Sequence, residues 1–325
     1  MKAILILLAA LAVALAASNA YVVNLLVVCA IYAIPAIGLS MLMGYTGQIS
    51  LGHGAFVAFG AYLAAWLTQT LGLDPWLGVV AATLGSALIA WCIGWIVFRL
   101  KGHHLAMATL ALALIVHIVL VQWRSVTGGP DGIAGIPSLA IGPLSLASDQ
   151  AVYVLAWLLC ALGLAMAHNL ASSPMGLAMR TVSESERVAV SLGIDAARVK
   201  RKVMALSGAY AGLGGALYSY WMGYISPDPF NVSFSIKLLL IVALGGAAGV
   251  WNVLFGTFVV VIVSEWLKPF GRLDVVIYGV LLVSVMIFMR DGLAAMLAGQ
   301  LRRLRARVAL RALVPGDVLR DKESL

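Results

Sequence analysis

The sequence predicts an all-α fold: a polytopic transmembrane helix bundle of about ten spans, with both termini on the inner side and Gly-rich broken helices. Three observations predict it. Of 325 residues, 63% are hydrophobic and 10% charged, with mean hydropathy +1.04; soluble domains carry about 25% charged residues. A soluble core cannot absorb that apolar excess, whereas a bilayer can. Apolar runs recur at the length of about 20 residues that a helix needs to cross a core about 30 Å thick. Finally, Lys and Arg fall almost wholly on alternate connections.

The runs lie at 20–43, 49–71, 75–98, 104–123, 151–168, 203–222 and 274–290. A shorter run at 3–18 reads as a first span. With Lys2 before it and Ser18-Asn19-Ala20 after it, it also fits a cleaved signal peptide, which would leave nine spans. The stretch 236–267 is too long for one span and is divided at Gly245, Gly246 and Gly249 into two, the first half short. The domain reading is a single membrane domain over 1–293, with 169–202 as its one sizeable inner loop and 294–325 as a basic inner tail. Residues 124–150, rich in Gly and Pro, form an outer loop.

The net charge of +8 does not indicate nucleic acid. With the N-terminus inside, Lys2, Arg99, Lys101, six basic residues of 169–202 and eight of 290–325 are internal, 17 of the 21 Lys and Arg. Arg124, Lys237, Lys268 and Arg272 are external. The acidic residues divide 7 to 6, so this is the positive-inside pattern, which concerns Lys and Arg alone. The tail arginines, Arg302 to Arg311, then sit near anionic lipid headgroups. Cys29, Cys92 and Cys160 lie in apolar runs as packing residues, and no CxxC pair or His/Cys spacing suggests a metal site.

Within 169–202, Ser183-Glu184-Ser185-Glu186 reads as a capping box, with Ser183 and Glu186 satisfying each other's backbone N–H groups. Gly193 supplies a left-handed stop. These signals predict a helix over 184–192 with Val188, Ala189 and Leu192 on one apolar face. Asp195 caps the helix that re-enters the membrane. Such a helix either packs on its own chain's inner surface or docks into a cytoplasmic partner. No GxxxxGK[ST] is present and intramembrane carboxylates are few; Glu265 is expected to pair with Lys268. This favours a passive pore, or a pump whose motor is another chain.

Residues 44–54 put four glycines at the junction of two apolar runs, with Gln48, Ser50 and His53 among them. At membrane depth, freed backbone groups need protein or cavity partners. The segment therefore packs on neighbouring helices or lines a wet pathway, after a span that Pro35 can kink. His53 is either hydrogen-bonded structurally or in contact with solute. Glycine breaks at 44–54 and 245–249, each before an apolar span, suggest a two-half design with interrupted helices.

Together, GQISLGHGAFVAFGAY (47–62), MATLALALIV (107–116), TGGPDGI (127–133), SPMGLAMRTVSESERVAVSLGID (173–195), LSGAYAGLGGALYSYWMGYISPDPF (206–230), IKLLLIVALGG (236–246) and IYGVLLVSVMIFMRDGL (277–293) resemble the branched-chain amino-acid ABC-transporter permease family, its LivM-type subunit in particular. Urea permeases are close. Leu114 and His117 stand where many relatives carry charges, and Asn252-Val253 where they often carry Gly-Pro. The resemblance implies a non-enzymatic transport subunit of the bacterial inner membrane. It implies a second, LivH-like permease, two cytoplasmic ATPases that use the ATP, and a periplasmic binding protein, with no cofactor on this chain. Ser183, Glu184, Glu186, Arg187, Val188, Leu192 and Gly193 become the expected ATPase-coupling residues. Gln48, Ser50, Gly52, His53, Gly54, Gly245 and Gly246 are the candidate solute pathway. The expected solute is a branched-chain or other hydrophobic amino acid, with urea or a short amide as the alternative; a stand-alone channel or ion-coupled carrier is the reading from another class.

Overall fold

The computed structural model describes residues 19–100, 102–141, 144–146, 148–246, 249–267 and 274–288. The run at 3–18, Lys268 and the basic tail lie outside them. The long helices are α1 (Ala20–Ser40), α2 (His53–Leu71), α3 (Pro75–Val97), α4 (His103–Gln122) and α5 (Asp149–Ala171). Two short helices follow, α6 (Pro174–Glu184) and α7 (Glu186–Ser191), then α8 (Ala196–Met222), α9 (Val232–Gly245), α10 (Asn252–Leu267) and α11 (Asp274–Phe288). Among the described residues, α1 to α5 have the length and hydropathy to cross a membrane. The long run 236–267 does divide, at Gly246, whose φ of 86° ends α9. α9 and α10 rise only about 21 and 24 Å at 1.5 Å per residue, short of a full crossing.

The helix that organises the bundle is the least apolar of the long ones. α8 packs against α1, α2 and α3 through a stripe of small residues. A Cβ on Gly212 would lie 2.5 Å from the Ala82 carbonyl and from Ser86 Oγ, and one on Gly215 would lie 2.0 Å from the Val57 carbonyl. Only glycine lets the backbones approach so closely, and this contact replaces the hydrophobic drive that lipid removes. Polar side chains tie the same surface. Tyr210 Oη donates to the Gly163 carbonyl (2.7 Å), and Tyr220 and Thr68 hydroxyls pair at 2.6 Å.

Contacts between helix ends sort into two faces. On one, Arg180 stacks over Tyr45, Lys200 over Phe98, and Trp251 Nε1 donates to His168 Nδ1. On the other, Tyr21 bonds Glu265, Trp76 Nε1 donates to the Ala140 carbonyl, and Tyr224 bonds the Asp131 carbonyl. The first is called the basic face, because Arg99, Arg180, Arg187, Arg198, Lys200, Arg201 and Lys202 gather there. The opposite face is capped by strand pairs β1 (Ile133–Ala134) with β4 (Tyr224–Ile225), and β2 (Ala140–Ile141) with β3 (Leu144–Ser145). Exposed apolar residues stripe the outer helices, such as Val154, Leu158, Leu162 and Met166 at i, i+4 spacing on α5. That is a surface for lipid or another membrane subunit. Cys29 and Cys160 are buried packing residues as expected, but Cys92 is exposed on α3.

Candidate functional site

The inner-loop unit departs from the expected capping. Pro174 opens α6, which continues through Ser183 to Glu184, so Ser183 lies inside a helix and the predicted helix over 184–192 shortens to 186–191. The cap is Ser185, whose hydroxyl accepts from the Val188 N–H at 3.4 Å. Glu186 turns instead to the Lys200 ammonium, a short contact between α7 and α8. The stop stands as expected. Gly193 takes φ 78°, with Ile194 N–H donating to Ala189 and Gly193 N–H to Val190, the bond pair of a Schellman end. Asp195 caps α8 through the Arg198 N–H at 2.9 Å.

The apolar face of α7 also differs. Ala189 is buried, while Val188, Val190 and Leu192 are 51%, 64% and 67% exposed; Leu177 of α6 is 69% exposed. Glu184, Arg187 and Ser183 are exposed beside them. α6 is held below by Gly176, Met179 and Val182, so the unit presents apolar side chains outward while anchored by its buried stripe. Lys200, 4% exposed, was missed by sequence reasoning. Its only signal was a lysine fourteen residues beyond an acidic helix start, which no local rule reads.

The Gly-rich break packs rather than opens. α1 runs through Pro35 into a π-helical turn at Met41–Tyr45, and a non-helical segment then climbs from the basic face to His53. Gly47 abuts α6, with Ser183 Oγ 2.9 Å from where a Cβ would sit. Gln48 Nε2 donates to the Thr46 carbonyl, and the Leu51 N–H to Thr109 Oγ1 of α4. Gly52 lies against the Thr109 carbonyl, which a Cβ would meet at 2.6 Å. His53 is fully buried between Ser50 Oγ and Ser207 Oγ of α8, with both ring nitrogens engaged.

Gly54 settles the depth. Its N–H, one of the unpaired donors at the start of α2, donates to Ser235 Oγ at 3.0 Å, at the start of α9. Thus the starts of α2 and α9 meet each other, at the level of Ser207 near the middle of α8. The segment that brings α9 to this depth is 226–231: Phe230 packs edge-on against Tyr62 and Tyr218, and Asn231 caps α9. The counterpart of the 46–52 break is therefore 226–231. Gly245 lies instead at the basic face, fitted against the Asn252 carbonyl, with Trp251 reaching His168 beside it.

Between α1, α8, α9, α10 and α11, in the half away from the basic face, lies a cavity of about 470 Å³. Leu25, Val28, Tyr32, Lys237, Glu265 and Tyr278 are among its lining. None of the seven pathway candidates lines it. Lys237, read from sequence as an outer-loop residue, lies in α9 two positions past Ser235; its ammonium lies 4.8 Å from the centre of the Tyr278 ring. Glu265 accepts from Tyr21 Oη at 2.8 Å, and Lys268, its expected partner, lies outside the described residues.

The family described as branched-chain amino acid transport system / permease component matches residues 21–289. The chain is similar to the high-affinity branched-chain amino acid transport system permease protein LivM of Salmonella typhimurium, at 32% identity over 84% of this chain and 69% of the relative. The LivM of Escherichia coli K12 gives the same figures. The LivH permease protein of Escherichia coli K12 is 28% identical over 81% of this chain and 90% of the relative. No solved structure matches.

Proposed function

Because the chain belongs to the branched-chain amino acid transport permease family, we propose that it is one permease of a bacterial inner-membrane importer for aliphatic amino acids, with its basic face cytoplasmic. The single observation that carries the mechanical part is the α6–α7 unit. Four large apolar side chains, Leu177, Val188, Val190 and Leu192, stand outward on the basic face, on helices too short to span. Exposed apolar side chains grouped on a rigid mount mark a protein contact. Their occupant in this reading is a cytoplasmic ATPase, two of which supply the work that this chain has no nucleotide motif to generate.

A second, LivH-like permease completes the pathway, and a periplasmic binding protein delivers solute to the strand-capped face. The positive-inside asymmetry supports this orientation. Mechanically, closure of the ATPases moves α6–α7, and the rigid joint to α8 passes that movement into the bundle; no covalent chemistry occurs on this chain. The test pairs Val190→Asp with Leu192→Asp in the assembled importer. Both side chains are exposed, so the fold should change by no more than about 0.5 kcal/mol, while ATPase co-purification and labelled-leucine uptake fall together. Retention of the ATPases at the unmodified level refutes docking there. Uptake of urea or short amides in place of leucine refutes the solute.

A further inference from the structure

We propose that a phospholipid of the leaflet at the strand-capped face lodges one acyl chain in a groove between α2 and α4, with its phosphate at Arg124. The inference needs only that the chain spans a membrane, and so goes beyond the importer reading and does not depend on the solute.

The groove follows from how two parallel helices meet. Gly52, at the start of α2, sits against the Thr109 carbonyl of α4, closer than a Cβ allows. Two turns further along each helix, Phe59 and Val116 line a groove that continues through Leu63 and Val119 to Trp66 and Trp123. Large side chains hold the helices apart there and leave about 230 Å³ between them. The wall is preformed, because Leu63 and Phe59 rest on Gly85 of α3, where a Cβ would lie 2.8 and 3.4 Å from them. No charged residue lines the groove, and the Thr127 hydroxyl at its far end donates to the Leu120 and Trp123 carbonyls at 2.7 and 2.8 Å. An apolar cavity of ~150 Å³ stays dry and takes benzene, so this larger one is a place for hydrocarbon rather than water.

Its surroundings select an acyl chain. The groove opens sideways, since α4 is the least buried of the five long helices and Ile115, Ile118 and Val119 are exposed along it. Its long axis follows α2 and α4, the direction an acyl chain takes in a bilayer. A helix of another subunit, about 10 Å across with its side chains, would lie over the groove rather than enter it. The end chemistry supplies the headgroup contact. α4 has the 20 residues of a span and ends at Gln122, so Trp123 and Arg124 follow at headgroup level. Trp66 and Trp123 put apolar rings at that end, with indole N–H groups suited to ester or phosphate oxygens. Arg124 is exposed, and its stem lies along Gly129, where a Cβ would come within 2.7 Å of Arg124 Cγ. A guanidinium matches a phosphate in both charge and geometry.

The test places the assembled importer in bilayer nanodiscs with a phosphatidylglycerol that carries a diazirine on one acyl chain. Photolysis should label peptides 59–66 and 116–126 several-fold more strongly than the exposed α5 face of Val154, Leu158 and Leu162. Val119→Trp fills the groove and should remove that excess, whereas Val119→Ala should keep it. A diacylglycerol probe with the same chain should label about two- to fivefold less, the worth of an exposed ion pair. Arg124→Gln should lower phosphatidylglycerol labelling equally, and Arg124→Lys should retain most of it. Labelling no stronger than on α5, or unaltered by Val119→Trp in assemblies that still elute intact, refutes the site and leaves only lipid that surrounds the protein. Cross-linking of Val119→Cys to the second permease, with no lipid label, refutes it too and makes the groove a subunit contact. Equal labelling by diacylglycerol refutes the role of Arg124. Failure of the unmodified importer to take up leucine would overturn the importer reading and leave the lipid result standing.

Discussion

Replacing Glu186 by Gln tests whether α7 is mounted on α8 by an ion pair. The Lys200 side chain is 5% exposed and that of Glu186 37%. Removing one partner of a buried pair costs about 3–5 kcal/mol, because the other charge remains desolvated. Water reaches Glu186, and the Phe98 ring still faces the ammonium at 6.0 Å, contributing about 0.5–1 kcal/mol. The loss expected for Glu186→Gln is therefore about 2 kcal/mol. Lys200→Met removes the buried charge itself and leaves only a carboxylate with access to water, so its cost should be smaller, about 1 kcal/mol. The double variant should then resemble Lys200→Met alone, giving a coupling of about 1.5–2 kcal/mol, above the roughly 0.2–1 kcal/mol of an exposed pair. Unfolding of the purified importer in mixed micelles measures the cycle, and leucine transported per ATP hydrolysed measures the mechanical consequence. Strict additivity of the two single variants, with transport per ATP unchanged, refutes the joint. Because Glu186 faces its own chain, loss of the ATPases from a Glu186 variant would not by itself locate their contact; Val190 and Leu192 do that.

Two further outcomes follow from packing. Gly212→Val should cost about 1–3 kcal/mol or more by forcing α8 from α3, read as a drop in folded protein, whereas Gly279→Val on α11, with no atom of the described residues near its Cβ position, should stay within about 0.5 kcal/mol. His53→Ala should cost about 2–4 kcal/mol in thermal unfolding, since Ser50 and Ser207 hydroxyls lose their buried partner and a void replaces the ring; unchanged stability would refute the structural role of that ring.

The long elements were legible because a bilayer makes one demand that a sequence cannot disguise, an apolar run of sufficient length. α2 to α5 and the division of 236–267 follow from it. What escaped has a common cause. Ser183 and Glu186 satisfy the capping-box spacing, but the carboxylate of Glu186 gains more beside a desolvated ammonium fourteen residues away than at a solvated N–H. The cap therefore moved to Ser185. Lys237 was read as external because it interrupts an apolar run near its edge. The structure instead puts it in α9, whose start is tied to α2 by the Gly54–Ser235 bond, a contact 181 residues apart in sequence. Local pattern gives length and punctuation, while non-local pairing decides where along the membrane normal a residue sits.

That same bond gives the Gly-rich break its meaning. Four glycines between two apolar runs could have marked an open pathway, yet Leu51, His53 and Gly54 find partners on α4, α8 and α9, while Thr46 and Gln48 bond locally. Gly47 meets Ser183 of α6 at the basic face, and the other end of the segment meets Ser207 through His53 and Ser235 through Gly54. Gly47 thus puts one end of the segment in contact with α6, and its other end lies at the paired starts of α2 and α9. Lys237 lies half a turn beyond the start that Ser235 marks. The break is thus a strut between the inner-loop unit and the helix that carries the cavity's cation, and its glycines serve close approach at both ends rather than flexibility between them.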